Sequence, residues 1–226
     1  MKLYKHPRIY HVPWSPGLKN DDRRHPSMEI FESKQVIVTI KMDGENTTMY
    51  NDAIHARSID SQNSNHPSRD MIKNLWGNVK HLINEDERIC GENIYAEHSI
   101  KYNNLYSYFY VFSMWFENLC FGWNTILTQL NNIYYDSRIK LYTVPIIYEG
   151  IYDEKIIKKI GSFYIENGYL GDNVEGYVIR NSHEFEHDFN ESFCLQYAKY
   201  VRENHVQTDE HWLRIWNKDK INKIEV

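Results

Sequence analysis

The chain has 226 residues, 42% of them hydrophobic and 25% charged, with a formal net charge of -5. That suits one large domain or two small ones around a sizeable core, and reads as an ordinary soluble globular protein. The acidic balance excludes a protein that coats nucleic acid by general basicity, so any nucleic-acid contact must be a local basic groove on an acidic body.

Residues 1–34, through "HVPWSPGLKNDDRRHP", are rich in Pro, Gly and charge and read as an ordered but irregular arm, with Trp14 packed on the body. "QVIVTI" (35–40) is a compact β-branched run, expected as a buried strand. Further strands are expected at 47–50 and 54–58, and 66–69 reads as a turn. Ser68 then reads as the N-cap of a helix, because Met71, Ile72, Leu75, Trp76, Val79, Leu82 and Ile83 recur at helical spacing. Strand character returns at 88–95 and 107–115, and a short helix is expected over 124–130. "YTVPIIYEG" (142–150) is a strand with a proline, hence an edge. Asp153 caps a helix through Glu166 that Gly168 ends. "EGYVIR" (175–180) and "SFCLQYAKYV" (192–201) read as a closing strand pair, and the tail 209–226 as a short helix. The fold class is α+β, one domain with largely antiparallel sheets and peripheral helices.

Cys90, Cys120 and Cys194 are odd in number and far apart, without metal-ligand or redox spacing. A reducing cytosol, with thiols used as core residues, is the expectation. The opening "MKLYKHPRIYH" has no apolar run after its charges, and no stretch is long enough to span a membrane, so a cytoplasmic location is expected.

The chemistry gathers at "IKMDGENTTMY" (40–50). A free lysine is protonated at neutral pH, but a partly desolvated one near positive charge loses its proton and attacks. K-x-D-G alone reads as a charged corner, with Gly44 supplying a positive φ in a tight turn. The pattern is followed in order by "HARS" (55–58), "GEN" (91–93), "YFYVFSMW" (108–115), "EGYVIR" and "AKY" (198–200). This ordered set resembles the covalent nucleotidyltransferases, and most closely the ATP-dependent RNA ligases of the nick-sealing phage type.

The resemblance implies an ATP-grasp-like nucleotidyltransferase fold. It also implies an ATP-dependent RNA ligase that joins RNA 3′-OH and 5′-phosphate ends in RNA repair, using ATP and Mg²⁺ or Mn²⁺. Lys41 would attack the α-phosphate and hold AMP. Asp43 would lie by the ribose or the RNA 3′ end, with Glu45 only a neighbour. Ile40, Arg57, Glu92, Phe112, Glu175 and Lys199 would join Lys41 in binding the nucleotide, Glu92 at the ribose and Phe112 stacked on adenine; Phe109 and Tyr110 are alternative stackers. Glu175 would hold the metal, Arg57 and Arg202 the RNA, and Lys199 the α-phosphate. The relatives pair Lys199 with a second lysine where this chain has Tyr197, a departure that Arg202 or an arginine of the arm would offset. The short tail after Lys199, 203–226, leads to the expectation of no OB domain, with RNA gripped by the catalytic domain or a partner chain. An adenylyltransferase for another substrate, or a weakened adenylate- or RNA-end-binding module, are the rival readings. "HEFEHDFNE" (183–191) reads as a solvated turn rather than a metal site.

Overall fold

The computed structural model describes residues 2–60, 66–171, 173–203, 205 and 219–225. Its strands form two sheets. The first runs in the order β1 (Arg8–His11), β12 (Phe193–Val201), β10 (Gly176–Asn181), β2 (Gln35–Lys41), β9 (Ile146–Ile151). The second runs β11 (Phe185–Glu186), β7 (Leu119–Cys120), β6 (Phe109–Phe116), β5 (Glu87–Asn93), β3 (Glu45–Met49), β4 (Ile54–Ala56), with β8 (Tyr142–Thr143) beside β6. Every pairing is antiparallel except β1 with β12 and β6 with β8. No helix among the described residues is long and apolar enough to cross a membrane.

The chain passes from one sheet to the other at Met42–Gly44, so the K-x-D-G segment is the joint between them. Gly44 does not have a positive φ there. Glycine is needed because a Cβ would lie 2.5 Å from the Asn93 carbonyl oxygen and 3.1 Å from Glu92 Cγ. A second crossing flanks the first. The single strand expected over 142–150 is two, β8 in one sheet and β9 at the edge of the other. Pro145 turns the chain between them, and its carbonyl accepts from the Ile40 amide at 2.9 Å.

Three helices each bury one face: α1 (Asp70–Val79), α2 (Trp123–Ser137) and α3 (Glu154–Asn167). The Asp153 carboxylate accepts from Lys155 N and Ile156 N, and the last turn of α3 closes on Gly168 at φ 74°. Ser68 does not cap α1; it lies in a 3-10 turn, Pro67–Arg69, whose own cap is His66. α2 runs on past Leu130 because Ile133 continues its apolar stripe into the core. The arm is less irregular than expected, since β1 completes the first sheet and the Trp14 indole donates to the Tyr177 hydroxyl at 2.8 Å. The largest core cluster joins Ile37, Ile40 and Met42 to Ile89, Phe109 and Val111, with Ile72 and Trp123 from the helices. The three cysteine thiols are buried. The helix expected in the tail falls largely outside the described residues.

Candidate active site

Strand register places the motif residues on one face. Across the central strands of the first sheet, Lys41 pairs with Gly176, Thr39 with Val178, which pairs in turn with Lys199, and Ile37 with Arg180, which pairs in turn with Tyr197. Strand side chains alternate faces, so residues two steps apart share one. Lys41, Lys199, Arg180 and Tyr197 therefore face the same way, into a cavity of about 550 Å³ that the second sheet and the arm also wall. Glu92 and Asn46, cross-strand partners, line the opposite side with Glu45, Arg57 and Phe112. Ile40 lines the cavity as well, while Asp43, Glu175 and Arg202 do not.

Phe112 reaches the cavity through a register shift. Cys90 pairs with Ser113 but Gly91 with Val111, which leaves Phe112 as the extra residue of a β-bulge. Phe109 and Tyr110 are fully buried core residues instead. Arg202 donates its Nε–H to the Val174 carbonyl at 3.0 Å.

Lys41 Nζ lies 2.5 Å from Glu175 Oε2. On the far side of Glu175, His205 Nε2 is 3.6 Å from Glu175 Oε1 and 3.4 Å from Asp43 Oδ1. Asp43 Oδ2 accepts from the amides of Ser99 at 2.7 Å and Ile100 at 2.9 Å. Burial works to strip the Lys41 ammonium of its proton, but the carboxylates, Glu175 first and Asp43 with it, outweigh burial and raise its pKa. Lys41 is thus an ammonium at rest. Burial opposes ionisation of Asp43 too, yet His205, His98 and Lys41 prevail and its pKa is lowered. Glu92 is different: burial dominates and lifts its carboxyl to about 8, although its Oε1 accepts from Gly44 N at 3.2 Å. Burial, helped by Lys41, lowers the Lys199 pKa against the pull of Asp22.

Asp43, Glu175 and His205 present their donor atoms within 4.8 Å of one another. Two carboxylates and an imidazole so close together are a donor set that Mg²⁺ or Mn²⁺ can use. The "HEFEHDFNE" segment holds no such cluster among the described residues, and its His187 is buried rather than solvated.

Several site residues left no trace in the sequence. The Asp22 carboxylate bridges Lys199 Nζ at 3.0 Å and His11 Nε2 at 3.1 Å. Glu45, first read as a bystander, takes two hydrogen bonds from the Arg69 guanidinium, from Nε at 2.8 Å and from the Nη2 amine. Arg8 of β1 lines the cavity and donates to Asp21. All are long-range pairs with no local spacing to betray them. Tyr197 is buried, with its hydroxyl 3.4 Å from Cys120 Sγ and the Arg180 guanidinium 5.5 Å from its ring centre. Arg180 stands directly across from it but donates to the carbonyls of Phe112, Phe121 and Asn181.

Residues 34–201 match the model of the RNA ligase family. The chain belongs to the RNA ligase family. Its fold is that of an RNA ligase of Naegleria gruberi. One variant of that ligase, solved with ATP and Mn, aligns over 89% of this chain and 63% of its own, at 17% identity and a TM-score of 0.56. A second, also solved with ATP and Mn, aligns over 81% and 54%, at 17% identity and a TM-score of 0.54. The chain thus spans between about half and two thirds of the ligase it resembles. No curated protein matches this family member.

Proposed function

We propose that this RNA ligase family member joins an RNA 3′-OH to a 5′-phosphate, using ATP, a divalent metal ion and a covalent adenylate on Lys41, in the service of RNA repair. The observation that carries the reading is that register sets Lys41 and Lys199 on one wall of a cavity whose other wall holds Glu92 and Phe112.

Adenine stacks on Phe112 and the ribose hydroxyls meet Glu92. Lys199 leaves Asp22 for the α-phosphate. Lys41 first gives its ammonium proton to solvent; the neutral amine attacks the α-phosphorus, a P–N bond forms, the bond to pyrophosphate breaks, and the nitrogen releases a second proton to solvent. An oxygen of the RNA 5′-phosphate then displaces Lys41 from AMP. Finally the 3′-hydroxyl attacks that 5′-phosphorus and AMP leaves. Positioning and charge neutralisation supply the catalysis of all three displacements. Asp43, Glu175 and His205 would hold the metal ion, whose positive charge would offset both the phosphates and the carboxylates that keep the proton on Lys41. Arg57, just after β4, and Arg8 of β1, both lining the cavity, supply the cations that Tyr197 does not.

The test is incubation with ATP labelled at the α-phosphate and Mg²⁺ or Mn²⁺, followed by a 5′-phosphorylated nicked RNA duplex. Labelled protein and a sealed strand are expected, and Lys41→Ala must abolish the label. Unlabelled wild-type protein overturns the reading. Label without sealing favours an adenylyltransferase or an end-binding module, for which the buried Tyr197 speaks.

A further inference from the structure

A second cavity, of about 660 Å³, adjoins the first. Both are lined by His6, Pro7, Arg8 and Arg57, so the start of β1 forms a ridge between them. Beyond the ridge the walls present Lys2, Lys5, Asn118, Asn190 and Ser192. Two rings, Tyr4 and Phe189, meet there at 4.7 Å between centres. Cations interleaved with aromatic and amide groups are the chemistry of a nucleic-acid strand: phosphates to the cations, base or ribose faces to the rings.

The walls also hold Asp188 and Glu191. Asp188 is committed to its own turn, its Oδ1 accepting from the backbone and side-chain nitrogens of Asn190, each at 2.9 Å. The segment is fixed in place. Tyr4 N donates to the Tyr50 hydroxyl at 2.8 Å, and the Tyr4 ring covers the buried Arg88 guanidinium at 4.6 Å. Residues 2–8 lie outside the stretch that matches the family, while Arg57, Asn118 and 188–192 on the other walls lie within it.

We propose that this second cavity is the seat of the 5′-phosphorylated RNA strand, its backbone running past Lys5 and Lys2 while its terminal phosphate crosses the ridge at Arg8 and Arg57 to reach the adenylate. Of the two RNA ends, only the 5′ end brings an anionic phosphate that needs cations at the ridge; the 3′ end brings a neutral hydroxyl. The inference rests on the ligase reading and deepens it.

The test uses the full chain with Lys2→Glu/Lys5→Glu, and Lys2→Gln/Lys5→Gln as a milder pair whose melting temperature checks folding. Neither lysine belongs to the adenylation machinery, so labelling by ATP alone stays at the wild-type level. Binding of a 5′-phosphorylated RNA oligomer, followed by fluorescence anisotropy across a salt series, weakens at least about fivefold for the glutamate pair. The salt slope falls by about 1.4 for the glutamine pair, two lost single-strand phosphate contacts. The same oligomer with a 5′-hydroxyl binds the wild type more weakly. Unchanged affinity and slope overturn the proposal, as does an equal preference for the 5′-hydroxyl oligomer. A wild type that takes no label from ATP fails the ligase reading instead, and a labelled wild type with indifferent lysines fails the groove alone.

Discussion

At the scale of single residues, the site at rest is a set of opposed charges rather than an armed nucleophile. Lys41 keeps its proton because the Glu175 carboxylate, and after it that of Asp43, face it. Glu92 keeps one for the opposite reason, burial, which lifts it from 4.5 to about 8. Between those values the folded chain holds a proton that the unfolded chain releases, so stability falls as pH rises through that window. Glu92→Gln, fixed in the neutral shape, should melt with the wild type below pH 4.5 and above it beyond pH 8, read by thermal scans. Identical curves at both ends would show that Glu92 is ionised in the fold. Lys41 and Lys199 were legible only through the ordered set of motifs, since each alone reads as a charged strand end. Phe112 was not separable from its neighbours, since a bulge changes alternation without changing composition.

At the scale of elements, the joint at Met42–Gly44 decides where the nucleophile points. Gly44→Ala pushes a Cβ against the Asn93 carbonyl, an overpacking that costs roughly 1–3 kcal/mol. For a chain of this size that lowers Tm by about 2 to 4 °C per kcal/mol. The Gly44 amide also holds Glu92, so labelling of Lys41 should drop further than the lost stability explains, as the initial rate of adenylation would show. A rate that simply follows the folded fraction would leave the joint a purely structural role. Strands β2, β10 and β12 and helix α3 were readable from local pattern and capping. The break at Pro145 was not, because an edge strand and a crossing between sheets make the same demand on a proline. Strand β1 was hidden too: its partner lies near the far end of the described chain, and parallel pairing leaves no hairpin signal.

At the scale of the whole molecule, the arm carries buried neutral imidazoles, and that of His6 sits against rings of both sheets, Phe112 and Trp115 of one and Tyr197 of the other. Burial pushes His6 down to about 3 and His11 to about 4, from an ordinary value of 6.5. Unfolding lets both take up protons below 6.5, so stability is lost as pH falls through that range. Thermal melts should decline from pH 6.5 toward pH 4, and His6→Phe, whose ring suits the edge contacts to Phe112 and Tyr197, should flatten that decline. An unchanged slope would assign the acid lability to other groups.

The pairing of Lys41 with Glu175, Lys199 with Asp22 and Arg69 with Glu45 also has a kinetic meaning. Three of the pocket's cations are already matched, which weakens the field it casts into solvent, so a nucleotide arriving with its metal ion is drawn in only weakly from a distance. Its rate of entry should scarcely notice ionic strength. A strand settling over Lys2 and Lys5 meets cations that form no ion pair among the described residues, and its capture should slow as salt is added. The two halves of one reaction then answer differently to the ionic strength around them.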